Sequence, residues 1–289
     1  MLYFTTSWDD GHVLDRKLAE LLDRHGVRGT FYVSQSYPDI GELLSEEDIR
    51  ELSVRHEVGA HTLTHPNLTT LEGRVRNEEI LGSKQWLERV TDKVVPLFCY
   101  PSGLYTEEVR RAVLDAGFLG ARTTQWPSVY LPATPFEMAT TLPVYPLPFR
   151  KLAGGRLWWR KLLQPLFERY ARYRVLGVPW WRMSSWQSAA RAALDYACTH
   201  GTSFHLWGHS WELENYGMWG ELELFLAYAA SKSEVTFVTN SELLEIAKKQ
   251  VRMLGDDSYG SWAFSPVGIN ARSVVYSFGV GEDVSWDLA

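Results

Sequence analysis

Cysteines and long apolar runs are scarce in this sequence of 289 residues. Its two cysteines, Cys99 and Cys198, lie far apart, which argues against both a disulfide framework and a zinc knuckle. No apolar run reaches the roughly 18 residues of a membrane-spanning helix, and Leu2-Tyr3-Phe4 opens the chain without a basic leader and cleavage site. These features predict a cytoplasmic protein.

Basic residues are also fewer than acidic residues. Lysine and arginine number 29 against 35 aspartates and glutamates, so the formal net charge is −6 and nucleic acid is not an expected partner. With 45% hydrophobic and 22% charged residues, the chain is expected to be globular with a sizeable core. We predict one large domain over residues 1–252, which includes an insertion at 125–187, and a C-terminal extension at 253–289.

Short apolar runs alternate along the chain with segments of helical periodicity. The seven predicted strands are residues 2–7, 29–33, 57–60, 95–100, 118–122, 203–207 and 235–238. Strands that alternate with helices predict an α/β fold in which a parallel sheet curls into a barrel, with a helical insertion between the fifth and sixth strands. Chemistry in such barrels is carried by the loops that follow the strands, and the candidate residues below lie there.

Two adjacent carboxylates, Asp9 and Asp10, follow the first predicted strand and precede Gly11. The turn at Gly11 allows both side chains to line one pocket, and two carboxylates this close need a cation. A metal bound by Asp10 would keep that group ionised and leave Asp9 as a general base. The alternative is an ordinary Asp-Asp-Gly turn with solvated carboxylates.

Two histidines four residues apart, His61 and His65, follow the third predicted strand. Pro66 disfavours a helical conformation at His65, so a bent loop is expected to bring the two rings together. Histidines at this spacing can also be incidental loop residues. Combined with the acidic pair, however, they predict a site for one divalent metal that leaves positions open for water and substrate, as in a metal-dependent hydrolase.

These motifs carry a resemblance to a known family. Ser7-Trp8-Asp9-Asp10-Gly11 resembles the Thr-Phe-Asp-Asp-Gly motif of the polysaccharide deacetylases with a NodB homology domain, and His61-Thr62-Leu63-Thr64-His65 resembles their His-Ser/Thr-x-x-His motif. Tyr100-Pro101-Ser102-Gly103 is similar to their third motif, Arg-x-Pro-x-Gly. The resemblance covers roughly residues 1–125 and 186–250. It implies a deformed seven-stranded (β/α) barrel and removal of acetyl groups from N-acetylated sugars.

The resemblance also implies roles for individual residues. Asp10, His61 and His65 would bind the metal, with zinc expected and cobalt, nickel or manganese also open, and Asp9 would take a proton from water. His209 occupies the place of the family's strand-end general acid, although His205 lies on the same alternating face. A backbone N–H near Ser102 would bind the oxyanion. The residues assigned to oxyanion or substrate contact are Pro101, Ser102, Gly103, Trp207 and Trp8.

Two positions depart from the family pattern. Cys99 stands where the third motif has an arginine that orients the catalytic aspartate, and a thiol cannot supply that charge. Arg122, at the end of the next predicted strand, is the proposed substitute; the alternative is that Arg122 forms a surface ion pair. Ser102 replaces a tyrosine and removes an aromatic wall. The substrate is therefore expected to differ in shape from a chitin-like chain.

The insertion has an unusual charge. Residues 150–182 contain nine basic residues and one acidic residue, and Trp158, Trp159, Trp180, Trp181 and Trp186 lie within or beside them. A basic helix with an apolar face and flanking tryptophans suits peripheral contact with an anionic membrane. The alternative is a helical cap that packs its apolar stripe on the barrel.

The C-terminal stretch from Ser273 to Asp283 resembles the opening strand and glycine loop of FkbM-type methyltransferases. A lone Gly-x-Gly is weak evidence, so we interpret the stretch as a remnant or a truncated fusion and predict no methyl transfer. The sequence as a whole predicts a metal-dependent deacetylase for an N-acetylated sugar in an oligosaccharide, lipid-linked or nucleotide-linked precursor. The alternatives are hydrolysis of another non-peptide amide, such as a cyclic ureide or formyl amide, and a catalytically silent barrel that binds glycan.

Overall fold

The computed structural model describes residues 1–150, 158–250, 252–256 and 260–264. Its strands are β1 (Leu2–Asp10), β2 (Thr30–Val33), β3 (Glu57–Ala60), β4 (Leu97–Cys99), β5 (Gly120–Arg122), β6 (Leu142–Pro143), β7 (Ser203–Gly208), β8 (Val235–Phe237), β9 (Arg252–Asp256) and β10 (Gly260–Phe264). Its helices are α1 (Asp15–Arg24), α2 (Glu46–Arg55), α3 (Gly73–Thr91), α4 (Glu107–Asp115), α5 (Trp158–Val175), α6 (Trp186–His200), α7 (Ser210–Tyr216), α8 (Trp219–Ala230) and α9 (Asn240–Gln250).

The first eight strands form one parallel sheet in the order β5-β4-β3-β2-β1-β7-β6, and β8 pairs with the start of β1. The sheet curls because residues 138–143 bridge its two edges: Met138 pairs with Arg122 of β5, and Leu142 pairs with Leu206 of β7. Parallel strands end at the same side of such a sheet. The ends of β1, β3, β4, β5 and β7 therefore meet, and the predicted curled α/β barrel is confirmed.

The sequence predicts a helical insertion at 125–187, but the described part of this segment is not helical throughout. Its first part is largely irregular, with a 3₁₀ turn at Pro135–Glu137, and it supplies β6, a strand that the apolar pattern did not reveal because it is only two residues long. Helix α5 follows, and a short 3₁₀ turn spans Trp180–Ser184. Within the described residues, no helix has both the length and the apolar character needed to cross a bilayer.

Several helices, among them α1, α6 and α8, bury an apolar face. In α1 the leucines 18, 21 and 22 are buried, as their three- and four-residue spacing predicts. Ser45 caps the N-terminus of α2, and its hydroxyl accepts a hydrogen bond from the Asp48 N–H in a capping box. The aromatic rings of Phe4, Phe204 and Phe225 pack between the sheet and α8. This packing holds β1, which carries the acidic pair, in the centre of the fold.

The described part of the C-terminal extension is an antiparallel hairpin of β9 and β10. Helix α9 ends at Gln250, close to the predicted end of the barrel domain. The stretch from Ser273 to Asp283 that resembles a methyltransferase loop lies outside the described residues.

Candidate active site

The acidic pair lies at the end of β1 and is almost completely buried, with Asp9 3% and Asp10 2% exposed. Asp10 has a positive φ of 83°, which breaks the strand's alternation and lets both carboxylates point into one pocket. Gly11 follows with φ of 75°, and a Cβ there would come within 2.6 Å of Val33. The predicted sharp turn after the pair is thus present, and the carboxylates are not those of a solvated surface turn.

The two histidines lie against Asp10. His61 Nε2 and His65 Nε2 are each 3.5 Å from Asp10 Oδ1, and the two imidazole rings are 4.8 Å apart. The Cys99 carbonyl oxygen lies 2.8 Å from His61 Nδ1, which fixes the ring so that Nε2 faces the carboxylate. His65 has a φ of 54°, so the loop is bent as predicted.

The donor set of Asp10, His61 and His65 fits a divalent metal. Four tetrahedral ligands about 2.0–2.1 Å from zinc lie roughly 3.3 Å from one another. The observed separations of 3.5 Å need little adjustment. Burial raises the pKa of Asp10, but a hydrogen bond to His61 and the charge of His209 outweigh burial and hold this pKa well below its ordinary value. Burial, with the charge of His61, lowers the pKa of His65 to about 4, which favours the neutral ligand form.

Glu79 of α3 holds the loop between the two histidines. Its Oε2 accepts hydrogen bonds from the backbone N–H groups of Leu63 and Thr64, both at 2.9 Å, and its Oε1 accepts the Thr64 hydroxyl at 2.7 Å. Tyr37 stacks on the His65 ring with centroids 4.0 Å apart. Neither contact could be read from the sequence, because both partners are distant along the chain and carry no motif.

Asp9 is paired with Arg122. The Arg122 Nη2 donates to Asp9 Oδ1, and the arginine is fully buried, so it is not part of a surface ion pair. Burial opposes the charge of Arg122, but the Asp9 carboxylate outweighs it and raises the pKa of the guanidinium. Cys99 is the register partner of Arg122 on the adjacent strand, and its Sγ lies 3.9 Å from Asp9 Oδ2. The guanidinium thus reaches Asp9 from β5, whereas in the family pattern it would come from β4.

His209 faces the carboxylates from β7. Its Nε2 is 4.0 Å from Asp9 Oδ2 and 3.9 Å from Asp10 Oδ2, while Glu212 Oε2 lies 2.7 Å from its Nδ1. Burial opposes protonation, but Glu212 and the two aspartates raise the pKa of His209 to about 9. Trp211 adds a hydrogen bond from Nε1 to Asp10 Oδ2 at 3.0 Å. Glu212 and Trp211 were not predicted, because α7 was not recognised.

His205, the alternative to His209, lies elsewhere. It is 2% exposed, its Nε2 lies 2.9 Å from the Ser7 hydroxyl, and burial, with the charge of Arg122, lowers its pKa to about 3. It is therefore a buried neutral histidine. Trp8 is also fully buried, and its ring lies beside Gly29 and Gly208, so the structure gives it no surface open to a substrate and does not support its assignment to substrate contact.

A 3₁₀ turn at Pro101–Gly103 follows β4. Pro101 is buried and Ser102 is exposed with φ of 55°. Gly103 has φ of 69°, and Thr124 occupies the space of any Cβ at this position. Trp207 is partly buried with the Arg122 guanidinium 4.9 Å from its ring. The predicted roles of Pro101, Ser102, Gly103 and Trp207 at the oxyanion or substrate remain predictions.

Comparison with known proteins gives a family match for part of the chain. Residues 3–121 match the Polysaccharide deacetylase family. Peptidoglycan-N-acetylmuramic acid deacetylase PdaA of Bacillus subtilis is 26% identical over 130 residues, which are 43% of this chain and 45% of that protein. Chitooligosaccharide deacetylase of Rhizobium leguminosarum is 32% identical over 124 residues, which are 40% of this chain and 50% of that protein. The matched regions thus span about half the length of these relatives.

Solved structures share the fold over more of the chain. A candidate polysaccharide deacetylase from Mycobacterium smegmatis has a TM-score of 0.62 at 16% identity and covers 86% of this chain and 91% of its own. The chitin deacetylase of Colletotrichum lindemuthianum has a TM-score of 0.51 at 14% identity and covers 83% of this chain and 86% of its own. The chain therefore has the fold of these proteins, and its residues 3–121 match the Polysaccharide deacetylase family model.

Proposed function

We propose that this protein is a metal-dependent deacetylase of N-acetylated sugars. The observation that carries the proposal is the convergence of Asp10, His61 and His65 within 3.5 Å contacts, with the separate Asp9 and His209 beside them. The match of residues 3–121 to the Polysaccharide deacetylase family and the deacetylase names of the relatives support it. Zinc suits a set of two histidines and one carboxylate, and cobalt, nickel or manganese would suit it as well.

Each residue of the site has a task that its surroundings allow. A divalent metal held by Asp10, His61 and His65 would supply Lewis acidity and a water of lowered pKa. Asp9 accepts the proton of the attacking water, and Arg122 keeps this carboxylate oriented. His209 donates a proton to the departing amine, which cannot leave as an anion, and Glu212 holds its Nδ1 so that Nε2 faces the reaction. The backbone N–H of Ser102, an exposed residue, would bind the oxyanion.

Comparing variants of the two neighbouring carboxylates, Asp9 and Asp10, gives the most direct test of the proposed function. The metal-loaded protein is incubated with a panel of N-acetylhexosamine compounds, and released acetate and bound metal are measured. Asp9→Asn should keep the metal and lose at least about a hundredfold in turnover, the scale of a removed general base. Asp10→Asn should lose both metal and turnover. Acetate release by Asp9→Asn at the wild-type rate would contradict the assignment of the base. A wild-type protein that binds no metal and releases no acetate would instead favour a silent glycan-binding barrel.

The role of His209 has its own test. His209→Ala should slow the hydrolysis of acetamido sugars far more than that of activated acetate esters, whose leaving groups need no proton. Glu212→Gln should give the same selectivity to a smaller degree, because Glu212 acts only through His209. Equal slowing of both substrate types would remove His209 as the general acid.

Peripheral contact with an anionic membrane through residues 150–182 also remains a proposal. In the described part of this stretch, Leu166, Tyr173 and Leu176 pack on the core, as expected for a cap. Trp180 and Trp181, by contrast, are 68% and 61% exposed and adjoin Arg182. Exposed tryptophans next to cations favour the lipid interface, so the cap would meet lipid with its outer surface.

A further inference from the structure

Two arginines and two tyrosines, which we call the arginine–tyrosine cluster, lie together between the insertion and α7. Its members are Tyr145, Arg150, Arg169 and Tyr216. The Arg169 guanidinium stacks on the Tyr145 ring at 3.9 Å, and Arg150 Nη1 donates to the Tyr145 hydroxyl at 2.5 Å. The Tyr145 and Tyr216 rings are 5.5 Å apart. The cluster joins residues from three separate stretches of the chain and forms no part of the mechanism described above.

The positive charge of the arginine–tyrosine cluster is not paired with a carboxylate of the described residues. Neither Arg150 nor Arg169 has a described aspartate or glutamate oxygen within 4.0 Å. Glu168 is nearby in sequence, but its Oε1 accepts a hydrogen bond from Gln164. The Arg169 Nη1 is buried and finds no hydrogen-bond partner among the described residues. Burying a charged donor without an acceptor is unfavourable, so Arg169 keeps hydrogen-bonding capacity that the described residues do not use.

The arginine–tyrosine cluster adjoins the catalytic residues. Tyr216 and Glu212 are four residues apart on α7 and so lie on one face of the helix, about 6 Å apart at Cβ. Glu212 contacts His209, whose other nitrogen faces Asp9. Burial is the main influence that lowers the pKa of Arg169, and Glu212 is among the nearby groups that oppose this shift. A sugar whose acetamido group lies at His209 can therefore extend one helical turn to the arginines.

We propose that Arg150 and Arg169 bind an oxyanion carried by the substrate, so that the enzyme prefers acidic N-acetylated sugars over neutral ones. This inference rests on the proposed deacetylase function and specifies its substrate class. A planar guanidinium presents paired donors that match either a carboxylate or a phosphate. The tyrosines hold the two guanidinium groups in place, and their rings offer a flat surface for a sugar.

Binding measurements test the inference without requiring turnover. The probes are muramic acid, glucosamine 6-phosphate and glucosamine, which share an amino sugar and carry a carboxylate, a phosphate and no anion. Titration calorimetry on the metal-loaded wild-type protein should show at least tenfold tighter binding of one acidic probe than of glucosamine. The acidic probe that binds tighter identifies the anion. Equal affinities for all three probes would overturn the proposal.

Substitutions in the arginine–tyrosine cluster test whether the acidic probes bind there. Arg169→Gln, and separately Arg150→Gln, should each reduce the acidic-to-neutral affinity ratio at least tenfold. Arg172→Gln is the matched control, because Arg172 lies over the Trp126 ring outside the arginine–tyrosine cluster, and it should leave the ratio unchanged. The two cluster variants provide independent tests if one of them fails to fold. A ratio that survives both substitutions, or that falls equally in the control, would contradict the assignment.

Acetate release separates this inference from the function on which it rests. If the protein releases acetate from neutral and acidic N-acetyl sugars at equal rates and binds all probes equally, the deacetylase proposal holds and the anion site is refuted. If it binds acidic probes through Arg150 and Arg169 but releases acetate from no sugar, the anion site holds and the deacetylase proposal is refuted.

Discussion

Moving the buried guanidinium from one strand to the next should test how Asp9 is kept active. Arg122 on β5 and Cys99 on β4 are register partners, and neighbouring strands lie about 4.8 Å apart. Both side chains already point at the Asp9 carboxylate, Arg122 through Nη2 and Cys99 through Sγ at 3.9 Å. The single variant Arg122→Cys removes the guanidinium. The double variant Cys99→Arg/Arg122→Cys returns it from the position that the family pattern uses.

The single variant leaves Asp9 charged and 3% exposed without its partner. Breaking a buried ion pair by removing one member costs roughly 3–5 kcal/mol, because the remaining charge is left uncompensated. Arg122→Cys should therefore lower the free energy of unfolding by about that amount in a denaturant titration. Acetate release should fall at least tenfold even below the unfolding transition, because the base is no longer oriented.

The double variant is the control for this reasoning. It has the same composition as the wild type, so recovered stability and recovered acetate release would both arise from the position of the charge. We expect it to regain more than half of the lost free energy of unfolding. If Arg122→Cys is as stable and as active as the wild type, the ion pair with Asp9 contributes to neither stability nor acetate release, and the argument is refuted.

Three further outcomes follow from the structure. Glu79→Ala should weaken metal affinity about 10- to 100-fold in a chelator competition, because the loop that carries both histidines loses its hydrogen bonds. The control is Glu78→Ala, which changes an exposed neighbour and should leave the affinity unchanged. Equal metal affinities of the two variants would contradict the role of Glu79. His205 has a pKa of about 3 in the folded protein against 6.5 when unperturbed, so the unfolded state binds more protons and stability should fall by about 1.4 kcal/mol per pH unit as the pH drops from 6.5 towards 3. His205→Gln should remove that part of the slope in denaturant titrations at several pH values, and an unchanged slope would contradict the burial argument. Replacing Trp180 and Trp181 with alanine should reduce sedimentation with anionic vesicles at low salt, and if the wild type does not bind such vesicles at all, the insertion is only a structural cap.

Much of the metal site could be predicted because its signals are local. Asp9 and Asp10 follow an apolar run and precede a glycine, and His61 and His65 follow another run and precede a proline. In a parallel sheet the ends of strands meet, so the alternation of strands and helices was enough to bring these side chains together. The bent loop was likewise expected from Pro66, and His65 has the positive φ that such a bend requires.

Other parts of the site follow from contacts between residues that are distant in sequence. Glu79 and the arginine–tyrosine cluster have no motif, because each works through partners that only packing brings close. Trp8 and Trp207 are close in register on β1 and β7, yet one is fully buried and the other partly exposed, a difference set by which side of the sheet each ring occupies. β6 closes the sheet with two paired residues, too few for a periodic pattern.

The sequence by itself determined the strand and helix order, the acidic pair, the two histidines and the absence of the usual arginine at Cys99. Those features depend on residue type and on spacing within a few residues of chain, which hydrophobic periodicity and turn chemistry report directly. Only the tertiary structure decided that Arg122 pairs with Asp9 and that His209, not His205, faces the carboxylates. The physical reason is that burial and pairing of a charge depend on residues 90 or more positions away along the chain, and the closed sheet alone brings them within contact distance.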